Sequence, residues 1–95
     1  MSAVLLARYT VDDRERFMEV FDAFEDGRAR AGAVARSLLA GDDGGLVALI
    51  EFPTAEAARA FAAGPERADA LARATVTART DEILEIARPR AADAP

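Results

Sequence analysis

The sequence contains no cysteine, histidine, tryptophan, asparagine, glutamine or lysine. Without cysteine there is no disulfide framework, no thiolate nucleophile and no thiolate metal site, a composition that fits a reducing compartment. Without histidine there is no imidazole base, no Ser-His-Asp triad and no His-ligated haem. All 12 basic residues are arginine, and they are spread among 17 acids for a net charge of −5. A nucleic-acid surface needs a basic stripe, so no nucleic-acid partner is expected. No apolar run approaches the ~20 residues that span a bilayer, and Met1–Ala7 lacks the positive flank of a secretory leader before Arg8, so no membrane partner is expected and the expected location is cytoplasmic.

What is present is one small domain's worth of chain, 95 residues rich in alanine and arginine. Ala3–Val11 is a short apolar run stopped by Asp12 and Asp13, which reads as a strand. Asp12, three residues before Glu15, predicts a helix N-cap. Phe17, Val20, Phe21 and Phe24 then recur at helical spacing, with Glu15, Glu19, Asp22 and Asp26 on the other face. One helix is predicted over 13–31, ended by Gly32. Ala33–Ala40 and Leu46–Phe52 flank the turn Gly41-Asp42-Asp43-Gly44-Gly45 and predict an antiparallel hairpin. Thr54 is the predicted cap of a second helix with Ala57, Ala58, Phe61 and Ala62 inward. Gly64-Pro65 breaks it, and the continuing segment is expected to bury Ala68, Leu71 and Ala72. Thr80–Arg88 is the last predicted strand. The domain is expected to span 1–89, with 90–95 a flexible tail.

The order β-α-β-β-α-β predicts an α+β, ferredoxin-like fold: a four-stranded antiparallel sheet with two helices on one face. Its strands are apolar on both faces. Leu5, Ala7, Tyr9, Ala48, Ile50 and Phe52 are assigned to the helices, which leaves Val4, Leu6, Val47 and Leu49 for another cover. A second copy of the chain is the expected cover, because closed two-fold dimers are the commonest oligomers.

The segment Leu49-Ile50-Glu51-Phe52-Pro53-Thr54-Ala55-Glu56-Ala57-Ala58-Arg59-Ala60-Phe61-Ala62-Ala63-Gly64-Pro65-Glu66 resembles the strand-to-helix segment of the dimeric α/β barrel proteins, in particular the antibiotic biosynthesis monooxygenase-like group. The resemblance implies a homodimer, a ligand cleft between each sheet and its own helices, and a place in secondary metabolism. It does not by itself imply a reaction, because this fold hosts many. The family's oxygenase and haem-degrading members carry an Asn late in the first strand and a Trp at the end of the third; here Ala7 and Phe52 stand there. The haem-degrading members place a His after the small-Pro-Glu break, where this chain has Leu71.

The candidate ligand pocket collects Tyr9, Phe21, Phe24, Arg36, Phe52, Phe61 and Leu71. Tyr9 is the only phenol, and the four phenylalanines suit a flat apolar or aromatic compound, though each also reads as ordinary core. Arg8 and Arg36 lie in strands, where a charge needs a partner. Glu51 is the acid expected to pair with them, and the alternative is an Arg that holds a substrate carboxylate or enolate. Turn preference accounts for Asp42 and Asp43, so no metal site is expected. The glycine-rich turn precedes a strand and lacks the Lys-Ser/Thr of a phosphate loop. No cofactor is expected. Three functions stay open: a small-molecule-modifying homodimer like the cofactor-independent monooxygenases or polyketide cyclases, a non-catalytic dimer that binds a ligand or partner, and a domain of this fold with a purely structural or stress-related role.

Overall fold

Alternation along the first strand decides which residues face the helices. A computed structural model describes residues 1–88, so Pro89 and the proposed tail 90–95 lie outside the described residues. In β1 (Ala3–Val11), Ala3, Leu5, Ala7 and Tyr9 are buried while Val4 and Leu6 are half-buried and Arg8 and Thr10 exposed. In β3 (Leu46–Phe52), Leu46, Ala48, Ile50 and Phe52 are buried, with Val47, Leu49 and Glu51 between them half-buried. The two strands pair antiparallel with Leu6 opposite Leu49 and Ala7 opposite Ala48. Like faces therefore meet like, as a pleated pair requires. β2 (Ala35–Ala40) and β4 (Val76–Glu85) complete an antiparallel sheet of order β2-β3-β1-β4. This is the ferredoxin-like α+β arrangement, with the helices over one face.

The open face carries a continuous apolar strip. Leu39 sits opposite Val47, Leu49 opposite Leu6, and Val4 opposite Leu84. Leu39 and Leu84 are 50% and 45% exposed. They extend the set Val4, Leu6, Val47 and Leu49 assigned from the sequence.

The first predicted helix is two: α1 (Arg14–Ala23) and α2 (Glu25–Arg30), broken at Phe24. No Gly or Pro marks the break, so periodicity alone ran through it. The cap is Asp13 and not Asp12; its Oδ1 accepts from the Arg16 amide. The Asp12 amide instead donates to the Thr75 carbonyl, and the Asp13 amide to Thr75 Oγ1. These bonds tie the start of α1 to the turn before β4, where Thr75 holds φ 62°. Gly32, at φ 98°, ends α2 in the left-handed conformation expected of a helix stop. In the hairpin turn, Asp43 Oδ1 accepts from the Gly45 amide, which is the turn role read from the sequence.

The second helix begins as predicted: Thr54 Oγ1 accepts from the Ala57 amide and caps α3 (Ala55–Ala62). Gly64 breaks the chain and α4 (Pro65–Arg73) restarts with Pro65 at its first turn. The buried side of α4 and the residue after it is Arg67, Ala70 and Ala74. Leu71 is only half-buried, and Ala68 and Ala72 are exposed. The expected apolar stripe was displaced because its first inward position holds a charged residue. β4 begins at Val76 rather than Thr80 and ends at Glu85 rather than Arg88, since the long β1 supplies partners from Val11 back to Ala3. No helix among the described residues is long and apolar enough to cross a membrane.

Candidate functional site

Between the sheet and the helices lies an aromatic cavity. Tyr9 and Ile50 form its floor, Phe17, Val20, Phe21, Phe24 and Arg28 one wall, and Phe61, Arg67, Ala70, Leu71 and Ala74 the other. The rings form a packed series: Tyr9 to Phe17 is 5.4 Å between centroids, and Phe17 to Phe21 is 5.8 Å. Its volume is about 30 Å³, room for a water molecule. A second, outer groove of about 300 Å³ runs between α2 and the α3–α4 junction. Phe24, Phe61 and Arg67 border both spaces, with Phe24 and Phe61 6.1 Å apart.

Five of the sequence-predicted pocket residues meet here: Tyr9, Phe21, Phe24, Phe61 and Leu71. Phe52 does not reach the cavity. It is fully buried beneath Phe61, 5.3 Å between ring centroids. Arg36 is also outside it. Its position opposite Ile50 puts it on the helix side of the sheet, where it pairs with Glu25. Glu51 faces the open side, opposite Val4. The expected Arg36–Glu51 pair is therefore prevented by strand alternation. Arg8 shares the open face with Glu51 but lies opposite Val47 and Thr80, toward the other end of the strand, and makes no ion pair among the described residues.

Three residues the sequence reading missed organise the site. Arg67, 3% exposed, donates to both carboxylate oxygens of Asp81 at 2.8 and 2.7 Å, to the Tyr9 hydroxyl at 3.0 Å and to the Ala62 carbonyl at 3.1 Å. Asp81 lies opposite Ala7 in β4 and so points at the helices. Burial opposes the Arg67 charge, but the hydrogen bonds it donates to Asp81 and Tyr9, with the electrostatic attraction of both, outweigh it and raise the guanidinium pKa. Arg67 holds the Asp81 carboxyl below its ordinary pKa, against burial. Because Tyr9 oxygen accepts from Arg67, its own O–H proton is left to donate. The third residue, Arg28, is equally buried and lies 4.0 Å above the Phe21 ring. A signal was available for Arg67 alone: it shares a helix face with Ala70 and Ala74, and an inward acid in β4 waits for it.

A broader surface groove, about 560 Å³, lies at the hairpin end of the sheet beside Arg8, Asp42, Asp43 and Arg79; its only ring is Tyr9.

No family model matches the sequence, and neither does any curated protein. Solved structures do match. SnoaB, a cofactor-independent oxygenase from Streptomyces nogalater, is 19% identical with a TM-score of 0.76 over 93% of this chain and 95% of that one. The chain has the fold of the antibiotic biosynthesis monooxygenase-like proteins. Rv0793 from Mycobacterium tuberculosis is similar at 16% identity and TM-score 0.73, over 96% of this chain and 100% of that one. A monooxygenase from the gene ActVA-Orf6 of Streptomyces coelicolor, solved with the ligand nanaomycin D, is 14% identical with a TM-score of 0.64, over 99% of this chain and 92% of that one. At these identities the likeness establishes the fold.

Proposed function

We propose that this chain works in the cytoplasm as a homodimer on a planar, apolar aromatic compound, in the manner of the cofactor-independent oxygenases that share its fold. One observation carries the reading: a phenol, Tyr9, is held by the buried Arg67, itself paired with Asp81, at the floor of a cavity walled by phenylalanine rings. Such a phenol donates to a carbonyl or quinone oxygen and fixes a ring's orientation, while the rings supply stacking area. Acid–base work falls to Tyr9 or to the substrate itself, because the chain has no histidine or cysteine. Entry requires the Phe24 ring to turn aside, which joins the cavity to the outer groove. Phe24 stands at the break between the two helices, its amide donating to the Val20 carbonyl and its carbonyl accepting from the Arg28 amide. The strip from Leu39 to Leu84 is read as the face that meets the second copy.

The small cavity favours a second reading, as do Ala7, Phe52 and Leu71 at the positions where the family resemblance implies an Asn, a Trp and, in haem-degrading members, a His: a dimer that binds such a compound without turning it over. Both are tested by thermal melts with naphthoquinones, anthraquinones and their hydroxyarene forms, followed by oxygen uptake with whichever bind. A raised melting temperature that Tyr9→Phe abolishes supports a site at Tyr9. Oxygen uptake then separates enzyme from binder. Failure of every compound to shift the melt overturns both.

A further inference from the structure

Two arginines border the aromatic cavity with the same burial, 3% exposed, and opposite bonding. Arg67 is satisfied by a carboxylate, a phenol and a carbonyl. Arg28 has one hydrogen bond among the described residues, from its Nη2 to the Phe21 carbonyl at 2.7 Å. No carboxylate of the described residues lies within ion-pair distance of it, and its Nε is buried with no partner. The nearby acid Glu25 is engaged by Arg36. Burial and then the charge of Arg36 pull the Arg28 pKa below its ordinary value, while Glu25, Asp22 and Tyr9 oppose them.

A buried cation is normally paired, and an unpaired buried N–H costs stability. Here the cost sits at the edge of an aromatic cavity, with the guanidinium carbon already 4.0 Å from the centre of the Phe21 ring. We infer that Arg28 is the anion-binding residue of this cavity, and that its ligand is a planar aromatic acid whose carboxylate or ionised enol accepts from the guanidinium. The inference rests on the aromatic-ligand reading above and adds the ligand's charge. Arg67 cannot fill this role, because Asp81 already neutralises it. Tyr9 and Arg28 together then define the polar requirements of the ligand: one oxygen that accepts from a phenol, and one oxyanion.

The test uses the full chain with 2-naphthoate and the uncharged 2-naphthamide, compared by calorimetry at neutral pH. The acid is expected to bind about tenfold tighter or more, the scale of a charge-assisted hydrogen bond in a dry site. Side-chain NMR with labelled arginine should show the Arg28 Nε–H resonance move with naphthoate and stay with naphthamide, and the Arg67 resonance stay with both. Arg28→Met should erase the preference for the acid without weakening the amide. It is expected to melt no lower than the parent, since it removes an uncompensated buried charge. Arg28→Gln is the second variant should the Met form not fold, and the NMR comparison needs no variant. A phenol and its methyl ether, run the same way, separate enolate from carboxylate recognition. Equal affinity of acid and amide, or an unmoved Arg28 resonance, overturns the inference and leaves the aromatic cavity standing. If neither compound binds, the cavity reading fails and the inference falls with it.

Discussion

Replacing Asp81 by asparagine removes a charge while keeping the side chain's shape. It leaves the Arg67 guanidinium, 3% exposed, without its counter-ion. Uncovering a buried partner in this way costs about 3–5 kcal/mol. Asp81 is itself 26% exposed, so water reaches the pair and the lower end applies, about 3 kcal/mol. For a domain of this size that corresponds to a fall of roughly 12–24 °C in melting temperature, at about 4–8 °C per kcal/mol. The assay is denaturation followed by circular dichroism at one protein concentration, with the denaturant slope unchanged as the sign that only stability has moved. Replacing both members, Arg67→Met with Asp81→Leu, should recover most of the loss, because a paired charge and a well-packed apolar pair are near equal. The acid side of the pH profile adds a second check. The Asp81 pKa is lowered on folding, chiefly by the Arg67 hydrogen bonds. Its stabilisation is therefore complete above the unfolded-state pKa and is lost as the pH falls through the lower folded-state value, so parent and Asp81→Asn should converge only in strong acid. A loss below about 1 kcal/mol, the scale of an exposed ion pair, would refute the account of Arg67 as a buried charge held by one acid.

Further outcomes follow from the open face and the groove. Sedimentation at micromolar concentration should give about twice the 10.1 kDa chain mass, and Leu49→Arg should yield monomer or unfolded chain because it puts an unpaired charge into the apolar strip. A parent protein that sediments as monomer would defeat the dimer. Gly27→Ala would bring a methyl 2.5 Å from Phe24 Cε1 and 2.8 Å from Cδ1, so the ring must leave its place against Phe61. Stability should change by less than about 1 kcal/mol, because the gain in helix propensity offsets the lost ring contact. The ring-to-ring NMR contacts should disappear, and a Phe24 ring that stays put would contradict its role as the movable wall.

The sheet was legible because alternation is a local property. β1 and β3 could be bounded to the residue, and their two faces sorted, from the apolar pattern alone. The caps at Thr54 and the stop at Gly32 were legible for the same reason: each acts on its own neighbours. The break at Phe24 was not. There the ring packs against Gly27 and against Phe61, which lies far along the chain. The site was half legible. Rings at helical spacing pointed to Phe21, Phe24 and Phe61, but a hydrophobicity pattern is blind to an arginine that is buried by a partner in another element. Arg67 was passed over for Ala68 and Leu71, since Asp81 lies in a strand whose inward positions, Arg79, Asp81, Ile83 and Glu85, are mostly charged. Arg36 and Glu51 failed in the opposite sense: both are strand residues of opposite charge, yet they lie on opposite faces.

Arg67 bonds to the end of α3 through Ala62, to β1 through Tyr9 and to β4 through Asp81, while rooted in α4. Among the described residues the Arg28 side chain bonds only to Phe21, one helical segment back in α1. The two jaws of the cleft are therefore mechanically unequal. The α4 jaw is bolted to the sheet and serves as the datum from which a ligand's position is measured. The α1–α2 jaw is tied to the turn before β4 and to β2 by solvent-exposed bonds, Asp13 to Thr75 and Glu25 to Arg36, and a ligand's size is accommodated there more readily than at the phenol on the floor.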